Sequence, residues 1–162
     1  MTDLPTTGFE VMHGGLPPLT PGGVVAIRVP CMPDYFRVCR LLISGIAQRL
    51  HLPWDLVEDL KLAVSEGCNL VCGNTISVDA SVNLRIEVKA ETLDMSLDGP
   101  PGGARTDAVA DGEEMDMSSM GLFFIQSLMD EAQYSVGRDQ AAHLVMVKNL
   151  NDDEDQEDGD GG

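Results

Sequence analysis

Aromatic side chains are scarce in this chain: four Phe, two Tyr and one Trp, 4% of 162 residues. That excludes an aromatic-rich core. The interior must be mostly aliphatic, with the nine Met filling irregular gaps. Basic residues are scarce too, 10 Lys and Arg against 27 Asp and Glu, for a formal net charge of −17. Nucleic-acid binding needs a basic surface, so that class is excluded. Attachment to an anionic membrane is excluded for the same reason. No apolar run approaches the ~20 residues that span a bilayer. The N-terminus lacks a basic segment followed by an apolar one, so no secretion signal is expected.

What is present suits one globular domain. Hydrophobic residues make up 43%, enough for a single substantial core. Seven of the acidic residues fall in residues 151–162, and the remainder still holds 20 acidic against 10 basic side chains. Such a balance suits a basic partner, or simply solubility. Residues 151–162 read as a disordered acidic tail and residues 1–23, broken by Pro and Gly, as a flexible leader. Deleting residues 151–162 is expected to leave the melting temperature within about 2 °C. The segment has no large apolar side chain to offset its ordering entropy. A thermal melt of the truncated chain checks this; a fall of more than about 5 °C would mean that the tail docks on the domain.

The four cysteines are Cys31, Cys39, Cys68 and Cys72. Cys68 and Cys72 lie one helical turn apart. A zinc site would use Cys or His pairs at loop spacing, which these lack. They read as small apolar residues of a reduced, cytoplasmic protein.

Hydrophobic periodicity predicts a strand from Val24 to Val29, then a helix from an Asp34 cap to about Leu50. After Pro53 a second helix is expected from Asp55 to Cys72, with Leu56, Leu60, Ala63, Val64, Gly67 and Val71 as its apolar stripe. Alternating strands follow at 81–89 and 91–97. A Gly- and Pro-rich turn begins at Asp98, and an acidic loop covers 104–117. A third helix runs to about Ala132, and a last pair of strands covers 134–136 and 142–147. This order predicts an α+β two-layer sandwich over residues 24–150, with helices on one face of a mixed sheet.

Three segments carry a resemblance. They are Leu62-Ala63-Val64-Ser65-Glu66, the strand ending at Asp98-Gly99, and the run from Met120-Gly121 to Leu128-Met129-Asp130-Glu131. Together they resemble the GHKL, or histidine-kinase-like, ATPase fold. The version they are most similar to is that of bacterial anti-sigma factors that are also serine-protein kinases. The resemblance implies that Glu66 is the catalytic general base. It implies an asparagine one turn later for magnesium, an aspartate at a strand end for adenine, and glycines that let backbone approach the nucleotide. On that basis Asn69, Asp98, Gly99, Gly102 and Gly121 are the candidate nucleotide-binding residues, with Asn69 the candidate metal ligand. The cofactors would be ATP and Mg2+, the partners a sigma factor or similar regulator and an antagonist, and the state a homodimer.

The residues depart from that pattern. At ~100° per residue, Glu66 falls roughly 120° from the centre of the apolar stripe, at the edge of the buried face. Leu70 holds the position four residues after Glu66, where asparagine is needed, and Asn69 points about opposite the stripe. Two registers are open on the strand. One shares the parity of Leu93 and Met95, placing Leu97 at the aspartate position, Gly99 at the first glycine and Pro101 at the second. The other keeps Asp98 as acceptor but turns it to the other sheet face and puts Pro100 at a glycine position. Apolar parity favours the first. Ser119 stands at a glycine position of the third segment, and Ala141-Ala142 where Gly-Thr is usual. Two mechanisms therefore compete: a partner-switching binding module with weakened or lost ATP binding, and an active ATP-dependent serine kinase. The two Leu replacements favour the first.

Overall fold

The computed structural model describes residues 19–104 and 117–151, with the side chains of 117–119 outside the description. The acidic tail from 152, the leader up to residue 18 and the acidic stretch 105–116 lie outside the described residues. The elements in chain order are β1 (Val24–Cys31), α1 (Pro33–Arg49), α2 (Trp54–Cys72), β2 (Ser77–Val88), β3 (Thr92–Asp98), α3 (Met117–Leu128), β4 (Glu131–Val136) and β5 (Ala142–Asn149). The five strands form one sheet in the order β1-β2-β3-β5-β4.

The two-layer sandwich stands, but the sheet is antiparallel at every strand pair rather than mixed. The reason lies in the α3 connection. β3 and β4 run in the same direction, as a helical crossover requires, yet β5 returns between them. The parallel pair that the crossover suggested is thus split by a hairpin strand.

Alternation sets the two faces. Leu93, Met95 and Leu97 on β3 are buried, as are Leu84 and Ile86 on β2 and Leu144 and Met146 on β5. The intervening residues are half-buried or exposed. α2 is the central helix and packs against α1, α3, β2, β3 and β5. That position widens its buried stripe. Leu60, Ala63, Val64, Gly67 and Val71 are buried as expected, and Cys68, Leu70 and Cys72 join them because neighbours close both flanks.

Local starts and stops differ by small amounts. Met32 and Pro53 are the N-cap residues of α1 and α2, while Asp34 and Asp55 sit in the first turns, favourably placed for the helix dipole. α3 ends at Leu128, before the expected Ala132. Glu131 and Ala132 instead pair with Val147 and Met146, so the sheet ladder captures them. Gly73 terminates α2 at φ 59°, a left-handed conformation that glycine adopts without strain. Gly22 and Gly23 exchange backbone hydrogen bonds with Val88, at 2.7 and 2.9 Å, and Leu19 packs on the core. Among the described residues no helix is long and apolar enough to cross a membrane.

Candidate functional site

Glu66 lies on α2 facing α3. It is half-buried and lines an open cavity of about 330 Å3 together with Met120, Gly121 and Phe124. Of the candidates named from sequence, the structure therefore brings Glu66 and Gly121 together. A carboxylate there borders apolar and backbone surface on the α3 side.

Asn69 is not part of this cavity. Its side chain is on exposed helix surface, and its backbone carbonyl accepts from the Gly73 N–H at 3.2 Å, closing the last turn of α2. Leu70, at the position where a metal-holding asparagine would sit, is 8% exposed and belongs to the hydrophobic core.

The strand end is arranged in the register that apolar parity favoured. Leu97 is fully buried on the helix-covered face. Asp98 lies on the opposite face, where its Oδ1 is 2.7 Å from Nδ1 of His143, directly across the ladder on β5. That pair keeps the Asp98 carboxylate on the helix-free face. Gly99 is buried, and its N–H donates to the Ala142 carbonyl at 2.8 Å. A Cβ on Gly99 would stand 2.1 Å from the Val71 carbonyl oxygen, so this glycine exists to let α2 approach the turn. Gly102, at φ +73°, is exposed and donates its N–H to the Asp139 carbonyl, fastening the turn to the β4–β5 hairpin. Ala141 and Ala142 are buried beside it.

These residues do not fit magnesium ATP held in the manner the resemblance implies. Leu70 and Leu97 stand at the positions that the resemblance gives to the metal and adenine ligands, and the Asp98 carboxylate pairs with His143 on the other sheet face. Three participants escaped the sequence reading. Met120 and Phe124 were visible as an i, i+4 pair on an apolar helix but had no stated role. His143 was invisible because its link to Asp98 requires the β3–β5 register.

A second surface feature lies on the outer side of α1 and α2. Arg37, Arg40, Leu41, Ser44 and Lys61 line an open groove of about 290 Å3. Lys61 also pairs with Glu58 one turn away at 2.9 Å. In a chain so poor in basic residues, three of them gather around one exposed leucine.

Comparison with known proteins agrees with this architecture. Residues 29–148 match the family described as histidine kinase-like ATPase domain. The serine-protein kinase RsbW of Bacillus subtilis (strain 168) is 30% identical over 145 residues, covering 78% of this chain and 86% of the relative. Its namesake in Listeria monocytogenes is 27% identical, covering 82% and 91%. A solved structure of RsbU and RsbW domains from Mycobacterium tuberculosis superposes with a TM-score of 0.60 at 14% identity. It matches 80% of this chain, which spans only 32% of that longer one. The sheet order, the central helix bearing Glu66 and the match across 29–148 lead to one conclusion: this chain belongs to the histidine kinase-like ATPase domain family.

Proposed function

We propose that this protein is an anti-sigma-factor-like regulator that works by partner switching in the cytoplasm, as a homodimer, with ATP binding weakened or lost. It would bind a sigma factor or similar regulator and exchange it for an antagonist. The observation that carries the reading is Leu70, buried at the metal position one turn after Glu66. The relatives are named for serine-protein kinase activity, while in this chain leucines stand at the two positions that the resemblance assigns to polar ligands. The groove of Arg37, Arg40, Leu41 and Lys61 supplies a docking face with apolar and cationic contacts. It suits an acidic, amphipathic segment of a partner.

Titration of ATP with Mg2+ into the purified chain tests the first half. Each nucleotide or metal polar group left without a partner costs about 1–3 kcal/mol, or roughly 5- to 150-fold in affinity. With two positions lost, affinity is expected to fall roughly 25- to 20,000-fold below that of an intact site. Micromolar affinity by calorimetry would overturn the reading and favour the kinase alternative, in which Glu66, facing its cavity beside Gly121, is the base.

Glu66→Gln tests the second half. The substitution keeps shape and removes basicity. A binding module retains capture of its cognate sigma factor with unchanged affinity, and wild type and mutant alike transfer no phosphate to the antagonist. A kinase loses about 10²–10⁴-fold in transfer rate. Radiolabelled transfer by the wild type that vanishes in the mutant would establish the enzyme. Loss of capture by the mutant would place Glu66 in the partner interface instead.

A further inference from the structure

All four cysteines of the chain are buried, and the fold collects them from three elements. Cys31 ends β1, Cys39 lies on α1, and Cys68 and Cys72 lie one turn apart on α2. They form two pairs. Cys72 donates its S–H to the Cys31 sulfur at 2.8 Å, and Cys39 and Cys68 are neighbours. Among the described residues no group of three or more Cys, His, Asp or Glu has metal-holding geometry. Pairs of thiols, rather than a ligand shell, are what the packing presents.

We propose that Cys31 and Cys72 are a modification site: a dithiol that a hydroperoxide converts reversibly to a disulfide, tying the last turn of α2 to the end of β1. Three observations carry this. The sulfurs need to close by only about 0.8 Å to reach a bond of about 2.05 Å. Both residues end their elements, where local opening is easiest. Cys72 is the last residue of α2, followed by the Gly73 cap, and the β1–β2 register shifts between Pro30 and Cys31. The sulfurs are only 1% and 3% exposed, so a small oxidant reaches them through local opening at these two ends.

Burial pushes the thiols of both residues above the ordinary range, so reaction proceeds through the small thiolate fraction of either. Attack by either sulfur gives the same disulfide. In the case of Cys31, the thiolate attacks the peroxide, the O–O bond breaks, and an alcohol, or water from hydrogen peroxide, leaves with the thiol proton. The resulting sulfenic acid is attacked by the Cys72 sulfur. The S–S bond forms, the S–O bond breaks, and water carries away the hydroxyl and the second proton. Two electrons pass from the dithiol to the peroxide.

The bond would close a loop between residues 41 apart in sequence and hold Val71, whose carbonyl lies against Gly99. Oxidation thereby fixes the turn that borders the Glu66 helix.

The test uses the full chain, reduced, then exposed to hydrogen peroxide and alkylated. The expected results are a loss of about 2 Da before alkylation and two alkyl groups fewer than the reduced chain after it, a peptide map joining the segments that hold Cys31 and Cys72, and a melting temperature raised by roughly 5–15 °C. Dithiothreitol reverses all three. Cys31→Ala and Cys72→Ala abolish the mass loss, and Cys39→Ala retains it. Since alanine at a core cysteine can itself lower stability, the wild-type peptide map is decisive on its own. Full alkylation of all four thiols after peroxide treatment, a Cys39–Cys68 link in place of the Cys31–Cys72 link, or a native mass carrying a metal ion would each overturn the proposal.

Discussion

Gly99→Ala will lower the stability of the domain by more than about 3 kcal/mol, the range seen when overpacking meets immovable neighbours. The added methyl would stand 2.1 Å from the Val71 carbonyl oxygen and 2.9 Å from its carbonyl carbon, both backbone atoms. Neither side can retreat. Val71 is fully buried in the last turns of α2. Gly99 is fastened on its other side by the hydrogen bond to Ala142. Gly67→Ala is the contrast. Its Cβ would lie 2.5 Å from Leu97 Cδ1 and 3.0 Å from Leu144 Cδ2, the ends of side chains that can rotate. Replacing a mid-helix glycine also recovers about 1 kcal/mol of helix propensity. Its cost is expected to be at least about 2 kcal/mol smaller than that of Gly99→Ala. Urea denaturation of the two variants reads the difference. Equal midpoints would show that α2 and the β3 turn are not in rigid contact.

Leu97→Ala is expected to cost about 2–5 kcal/mol, as for other fully buried leucines. Leu97 has no exposed surface and belongs to the cluster that joins β3 to α2 and β5. The experiment bears on function as much as on stability. At the adenine position, a leucine that lined an open nucleotide pocket would leave little cavity when truncated, and its loss would cost under about 1 kcal/mol. A cost in the higher range means that the position is filled from within by the core. Equilibrium unfolding gives the value, and the slope with denaturant should stay unchanged because the native fold persists.

Much of this is legible in the sequence. Alternation over Leu93, Met95 and Leu97 identifies the buried face of β3, because successive strand side chains point to opposite sides. Leu97 and Asp98 are consequently assigned to different faces by parity alone. The helical angle likewise puts Glu66 at the edge of the buried stripe, and the structure finds it half-buried beside Gly121. Those are local rules, and they hold where one element meets one layer.

Other features depend on which elements become neighbours. Leu70 is buried because α2 is flanked on both sides, a fact of the whole helical layer that a single-helix projection omits. α3 is shorter than its local pattern suggests because Glu131 and Ala132 suit a helix locally and are taken by the β5 ladder. The strand direction at the sheet's centre was unreadable for the same reason: β5 enters between two strands joined by a helix.

By itself, then, the sequence determined the layers, the parity of each face, the edge position of Glu66 and the apolar character of positions 70 and 97. Periodicity and residue chemistry are properties of neighbours along the chain. Only the tertiary structure decided that Asp98 pairs with His143, that Gly99 is a packing glycine against Val71, and that cysteines from three separate elements meet as two thiol pairs. Each of these joins residues distant in sequence, and nothing local specifies such a contact until the chain has closed around its core.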